Sequence, residues 1–414
     1  MTRYPLEQSR RSALGFLGAV PLAAGGLLAS GETADADPSS SGRIPRDLLP
    51  GGAFDRFVAS LAAKDEFSGT VLLAHRGRPV LARAYGMADA ELAIPNQLDT
   101  VFPLASASKP FTGLAIVQLV QRGKLELHEK LGAYLDGFPA EIANTVTVHQ
   151  LLTHTSGMGD FQRPGGHRPP DKIYHSATDQ MRDLDEFLRG QKLEFAPGTG
   201  VAYSSFGMMT LGQIVAKVSG QTFWDYVREH IFRPAGMTRS AYYTRTEWLS
   251  DKRIAHPYLR QPAGPRVDGV RNLDKGGTGT AAGNAARYYI GTGGGNGFST
   301  APDLVRFARA LRDGTLLNRA YTELFLNGKV VSPPQPGGDP DPARQESFMA
   351  YGSFAGIFNN QRTLGHSGVM AGGMTNWSIY LDLDWTSVIL SNYDNIDLQG
   401  IISREKHAVT EHRS

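Results

Sequence analysis

The sequence predicts an α+β fold, a mainly antiparallel sheet formed by the N- and C-terminal parts of the chain, flanked by helices and carrying an inserted helical domain. Two observations predict it. Strand pairs separated by tight turns occur near both ends, and the long stretch between them carries apolar residues mostly at helical spacing. With 414 residues, 41% of them hydrophobic and 20% charged, the chain can bury a sizeable core in one large domain or two.

In chain order, Leu48 to Lys64 has the spacing of an amphipathic helix. Ser68 to His75 and Pro79 to Tyr85 alternate about the turn Arg76-Gly77-Arg78 and predict a hairpin. Helical patterns follow at Ser106 to Arg122, Val148 to Leu152, Thr178 to Gly190, Gly207 to Ser219 and Thr222 to Ile231. A second hairpin, Met374 to Asp382 with Thr386 to Asn392, turns across Leu383-Asp384-Trp385, and Leu398 to Val409 closes the chain as a helix. The expected domain spans 48–414, with the helical insertion at about 123–290. Two Gly- and Pro-rich loops, Gly159 to Asp171 and Gln261 to Gly297, are expected to edge a cleft and to set substrate choice. Within the second, Gly276 to Gly297 reads as a mobile loop, since it lacks the lysine of a phosphate-binding loop.

Arg10-Arg11 precedes an uncharged stretch from Ala13 to Ser30 that glycines and Pro21 dilute, and Ala34-Asp35-Ala36 offers a small-x-small cleavage site. These features resemble a twin-arginine export signal over 1–36, followed by a flexible linker over 37–47. The expectation is a periplasmic or extracellular protein that meets the membrane only transiently, during export. Cysteine is absent, which excludes disulfides, thiolate metal sites, a cysteine nucleophile and a lipid anchor on cysteine. A net charge of +2 without basic runs argues against a nucleic-acid partner. A small-molecule or peptide substrate remains, and the oligomeric state is not readable.

The chemistry concentrates at Ser106-Ala107-Ser108-Lys109, at the mouth of the helix that continues through Pro110-Phe111-Thr112-Gly113. A serine hydroxyl needs a base within reach, and a residue three positions later on a helix lies on the same face. Burial can push a lysine amine toward neutrality so that Lys109 takes the Ser106 proton, while first-turn N–H groups, that of Ser106 among them, face developing negative charge. A second match, Ser403 to Lys406, reads as the surface of a terminal helix. His149 and His154 are five apart, which does not put both on one helical face, so structural or supporting roles are expected and no metal or other cofactor. Gly365 to Val369 lacks the last glycine of a hydrolase nucleophile elbow.

Further segments follow the tetrad in order: Leu151-Leu152-Thr153-His154-Thr155-Ser156-Gly157, then Phe195-Ala196-Pro197-Gly198, Tyr203-Ser204-Ser205, Gly297 to Leu304, and His366-Ser367-Gly368. Together they resemble the serine β-lactamase and penicillin-binding-protein superfamily, in its class C-like branch of β-lactamases, D-alanyl-D-alanine carboxypeptidases, D-aminopeptidases and esterases. The resemblance runs from about Phe67 to Asn392 and implies a β-lactamase/transpeptidase-like fold. It implies that Tyr203 moves protons among Ser106, the leaving group and water, and that Ser205, His366, Ser367 and Gly368 orient substrate. Gly368 would admit substrate to a strand edge, and the N–H of Val369 would join that of Ser106 in an oxyanion hole. Two departures stand out. Ser205 occupies the position of the family's asparagine and cannot make that amide's paired contacts. His366 replaces the commoner lysine and, mostly neutral above about pH 6.5, holds a carboxylate more weakly. The implied activity is that of an exported serine hydrolase forming an acyl-enzyme on Ser106, with a D-amino-acid peptide or a small ester as substrate. A β-lactamase, or a penicilloyl-binding sensor or scaffold without turnover, are the alternatives.

Overall fold

The first strand of the chain pairs with the last. The computed structural model describes residues 44–161, 169–277, 283–333 and 345–411; the predicted export signal and residues 37–43 of the linker lie outside them. Its main sheet contains β1 (Gly69–His75), β2 (Arg78–Tyr85), β3 (Val330–Val331), β4 (Gln345–Met349), β5 (Phe354–Phe358), β6 (Gln361–Met370), β7 (Gly373–Tyr380) and β8 (Trp385–Ser391). The spatial order is β2-β1-β8-β7-β6-β5-β4-β3, with every neighbouring pair antiparallel. β1 lies against β8 from Gly69 opposite Ser391 to His75 opposite Trp385. The α+β class and the sheet drawn from both chain ends are therefore as the sequence predicts.

Continuous burial in β1 and β8 explains why the central strands lack a clean apolar-polar alternation. Val71, Leu73 and Ile389 face one core, shared with α1 (Ala53–Ala63) and the C-terminal helix. Leu72, Ala74, Val388 and Leu390 face the other, shared with the helices around the tetrad. Gly69 has φ +146°, and a Cβ there would lie 2.0 Å from the Leu390 carbonyl oxygen, so only glycine lets the two strands meet at this register.

On the second face lie α2 (Lys109–Gln121), α3 (Val148–Leu152), α4 (Ala177–Arg189), α5 (Ser205–Ser219), α6 (Phe223–Val227) and α7 (Ala301–Arg312). Residues Lys109 to Leu119 of α2 are all buried, the pattern of a helix enclosed on every side. Phe111 meets Phe232 and Phe307 edge-on at ring separations of 4.9 and 5.0 Å. A capping box, Thr147 with Gln150, starts α3, and Thr300 caps α7 through the Asp303 N–H. The closing helix is α8 (Leu398–Thr410).

Three expectations change. The helix placed at Leu48 to Lys64 is a short 3-10 turn, Arg46–Leu48, then a break, then α1, because Pro50 and Gly51, the latter at φ +78°, end the first turn. The helix placed at Thr222 to Ile231 runs as α6 into a π turn, Arg228–Phe232. The second serine-lysine tetrad does sit on the terminal helix, yet the Glu405 inside it is fully buried rather than at the surface.

Glu405 accepts hydrogen bonds from the Tyr380 hydroxyl at 2.6 Å and the Ser387 hydroxyl at 2.5 Å. Burial pushes its carboxyl up from 4.5 to about 7. Stability from the neutral carboxyl is complete below the unfolded value near 4.5 and is lost as pH rises through about 7. Glu405→Gln keeps the neutral form at every pH. It should therefore raise the melting temperature at pH 8, by a free energy of at most about 3 kcal/mol, and leave it nearly unchanged at pH 5. A variant equally destabilised at both pH values would show that the carboxylate is ionised in place.

Candidate active site

Ser106 sits on a 3-10 turn, Ala105–Ser108, that leads directly into α2. From Thr100 to Leu119 every residue is buried except Ser106. The turn is strained: Ala105 has φ +47°, a left-handed conformation that costs a residue with a Cβ. Its carbonyl holds the conformation by accepting from the Asn296 N–H at 3.0 Å and the Ser108 hydroxyl at 2.8 Å. Pro110 falls in the first turn of α2, where a missing N–H leaves no helical bond unmade.

Lys109 is fully buried, and its Nζ lies 2.9 Å from Ser106 Oγ, 3.2 Å from Ser205 Oγ and 2.5 Å from the Gly294 carbonyl oxygen. An ammonium would donate to all three. A neutral amine would donate to Gly294 and Ser205 and turn its lone pair to the Ser106 hydroxyl, the arrangement a general base needs. Burial lowers the Lys109 pKa from 10.5 to about 7, with Asp160 pulling the other way.

Tyr203 precedes α5 in an irregular segment, and burial opposes the ionised form of its hydroxyl more than the Ser106 side chain beside it favours that form. Its ring packs on His154 at 4.7 Å and lies parallel to Phe354 at 6.3 Å, while Lys109 Nζ stands 4.9 Å from its centre. Burial raises its pKa, so the group beside Ser106 is the phenol and not the phenolate. His154 is buried at φ +58° and accepts the Ser204 N–H at 3.1 Å through Nδ1. Burial and Lys109 lower its pKa to about 3. It is a neutral platform for Tyr203, in keeping with the supporting role expected of it.

His366 lies on β6 opposite Trp377, beside Tyr203 at 6.1 Å and Phe354 at 4.9 Å. Its Nδ1 donates to the Ser367 carbonyl oxygen at 2.5 Å, which leaves the buried Nε2 as an acceptor without a partner among the described residues. Burial, then Lys109, depress its pKa to about 3. This histidine is neutral throughout the working pH range and cannot hold a carboxylate by charge, a stronger departure from lysine than the sequence suggests. Ser367 points to the other face of the strand, where its hydroxyl donates to Asn376 Oδ1 at 2.9 Å, so its side chain is not gathered with the others. Gly368 presses on the nucleophile turn: a Cβ there would lie 2.0 Å from the Leu104 carbonyl oxygen. Val369 follows it, 40% exposed, and lines a cavity of about 320 Å³ with Ser106, Ser205 and Asp160.

Two participants escaped the sequence reading. The glycine stretch taken for a mobile loop is, from Gly291 to Gly297, a packed brace. A turn with paired bonds between Thr292 and Gly295 delivers the Gly294 carbonyl to Lys109, and Thr112 donates to the Gly293 carbonyl at 2.8 Å. A Cβ on Gly293 would lie 2.6 Å from the Met208 carbonyl oxygen, and one on Gly294 would lie 2.9 Å from that of Ser205. The second is Asp160, 5% exposed, whose carboxylate accepts the Ser205 N–H at 2.6 Å and so holds the start of α5. The first loop expected to edge the cleft does so through Asp160, Phe161 and Pro169 to Asp171, and residues 162–168 lie outside the described residues. Asp89, His256 and Asp268 also cluster, but the Arg271 guanidinium donates to both carboxylates, His256 Nδ1 donates to Asp268 at 2.7 Å, and the guanidinium occupies the space a metal ion would need.

Comparison with known proteins bears on the family and the fold. Residues 54–402 match a family model described as Beta-lactamase. The chain is similar to penicillin-binding protein 4* of Bacillus subtilis, 30% identical over 360 residues that cover 84% of this chain and 73% of that protein. It is also similar to esterase EstB of Burkholderia gladioli, 33% identical over 288 residues, 63% of this chain and 72% of that one. Among solved structures, a penicillin-binding protein from Bacillus halodurans superposes with a TM-score of 0.69 at 26% identity, over 84% of this chain and 98% of that one. A D-amino acid amidase from Ochrobactrum anthropi shares the fold, with a TM-score of 0.68 at 22% identity over 87% and 99% of the two chains.

Because the free amine of Lys109 is the form able to accept a proton, kcat/KM for a neutral ester should rise with pH through an apparent pKa of about 7 and then level off. Steady-state assays from pH 5 to 9 test this, and a pH-independent rate would remove Lys109 as base. Lys109→Arg, which cannot release its proton, should lower kcat by a factor of about 100 to 10,000.

Proposed function

The chain belongs to the Beta-lactamase family, whose serine hydrolase chemistry it shares with penicillin-binding, esterase and amidase relatives, and on that premise we propose that it is an exported enzyme that acylates itself on Ser106. The observation carrying this reading is the 2.9 Å approach of a fully buried Lys109 amine to Ser106 Oγ. In the proposed course Ser106 Oγ attacks an amide or ester carbonyl carbon as its proton passes to Lys109 Nζ. The N–H groups of Ser106 and Val369 receive the oxyanion. Collapse breaks the bond to the leaving group, which takes the proton back from Lys109 through the Tyr203 hydroxyl. Water then attacks the acyl-enzyme, yields its proton along the same route, and releases Ser106.

The substrate in this reading is a D-amino-acid peptide or a small ester. Ser205 in contact with Lys109, and the neutral His366, supply hydrogen-bonding groups and no cation for a substrate carboxylate, which argues against efficient β-lactam hydrolysis. Support for export is confined to the Arg10-Arg11 pair and the uncharged stretch after it.

Intact-mass spectrometry with p-nitrophenyl butyrate and a fluorescent penicillin tests the acylation step. A transient butyryl adduct on Ser106 with a burst of nitrophenol is expected, and Ser106→Ala should lose both. Turnover that survives in that variant would overturn the mechanism. A lasting penicilloyl adduct would favour the peptide substrate, and fast penicillin hydrolysis would make the protein a β-lactamase. For export, replacing Arg10 and Arg11 by lysine should strand the protein in the cytoplasm; unchanged secretion would remove the twin-arginine route.

A further inference from the structure

Next to the cavity that holds Ser106 lies a second one, of about 460 Å³, between α4, α5 and α6. One face of α5 runs through both. Ser205 lines the first cavity, Met209 lines both, and Gly212, Gln213 and Ala216 line the second, a spacing that keeps them on one side of the helix. The Thr292 to Gly295 turn is shared in the same way: Thr292 lines both cavities, Gly294 the first and Gly293 the second. The wall between the two is therefore this turn and the Met209 side chain, which lies against it, since a Cβ on Gly294 would stand 2.8 Å from Met209 Cγ. Leu135, Leu184, Leu188, Phe223 and Trp224 give the second cavity an apolar lining. Its charged residues are paired, Asp185 with Arg189 and Arg182 with Asp183 at 3.2 Å, and Gln213 Nε2 donates to Asp185 at 3.0 Å. Such a lining suits a hydrocarbon and offers an ionic ligand no free counter-charge.

We propose that the second cavity receives the acyl chain of an ester substrate, with Met209 as a movable partition, so that the enzyme favours medium-length acyl chains over butyrate. The proposal rests on acylation at Ser106 and selects the ester of the two substrates in that reading. In the proposed course the leaving group departs beside Tyr203, which lines neither cavity, so both cavities fall to the acyl part. A chain that extends from Ser106 along α5 meets Met209 one turn beyond Ser205. Methionine is unbranched and flexible, so it can turn aside where a rigid aromatic ring would block the way. Past it, each methylene moves from water to apolar surface, a gain of about fourfold in kcat/KM. Octanoate has more methylenes to place there than butyrate.

The full-length protein is assayed with p-nitrophenyl butyrate and p-nitrophenyl octanoate, both kept below the concentration at which the longer ester forms micelles. The octanoate should be preferred in kcat/KM by about tenfold or more, part of the gain per methylene being lost in displacing Met209. Met209→Trp, which fixes the partition, should bring the ratio to one or below. Ala216→Leu, which fills the second cavity without reaching Ser106, should also lower the ratio and decides the matter where the tryptophan variant fails to fold. A ratio at or below one in the unaltered enzyme, or a ratio left unchanged by either folded variant, overturns the proposal and leaves Ser106 acylation standing. The same holds if neither ester is turned over while the fluorescent penicillin forms an adduct on Ser106. No ester turnover together with no adduct overturns both.

Discussion

The burial of the Lys109 amine is the constraint around which the site is organised. A lysine removed from water must be neutralised or supplied with acceptors for every proton, and here three oxygens, from Ser106, Ser205 and Gly294, converge on Nζ. None of the three carries charge, so the amine is stabilised without being locked as a cation. A carboxylate in direct contact would have fixed the proton and disabled the base. Asp160 instead stands behind Ser205, bonded to its backbone, close enough to oppose the effect of burial without cancelling it.

Bringing three oxygens to one nitrogen imposes backbone conformations that few residues tolerate. Ala105 and His154 adopt positive φ although both carry a Cβ, and Gly293, Gly294 and Gly368 pack where a side chain would strike backbone atoms. The strain is held by the rest of the molecule. Trp377 donates to the Ala107 carbonyl at 2.9 Å and Thr375 to the Leu104 carbonyl at 2.9 Å, so β7 grips the nucleophile turn on both sides of Ser106. β7 is in turn fixed by β8, and β8 by β1. The pairing of the two chain ends is thus mechanically continuous with the placement of the nucleophile.

What was legible in the sequence is what is local. The tetrad is one turn of helix, the hairpin of β1 and β2 is written in two apolar-rich runs about a glycine turn, and α3 follows from a capping box and an apolar run. Residues 345–370 were not assigned strands, although β6 carries His366, because their glycines and polar residues blur the period-two pattern. Gly294 acts through a carbonyl, which every residue possesses, so no residue type could have announced it. Asp160 and Glu405 look like ordinary surface acids until the fold closes over them, and Ser367 looked like a site residue because its neighbours in the chain are.

The groups packed around Tyr203 suit it to the relay proposed for it and keep it from becoming a competing base. His154 below it and His366 beside it are both held neutral by burial, and neither offers the phenol a proton sink at neutral pH. A phenolate would need a cation at its ring edge, yet Lys109 reaches the ring region in a form that is half deprotonated near pH 7. On the proposed course one proton passes among Ser106, Lys109 and Tyr203, and attack starts from the fraction of molecules whose amine is free. A phenolate in this pocket would face the same desolvation that brings the lysine toward neutrality, which keeps Tyr203 protonated.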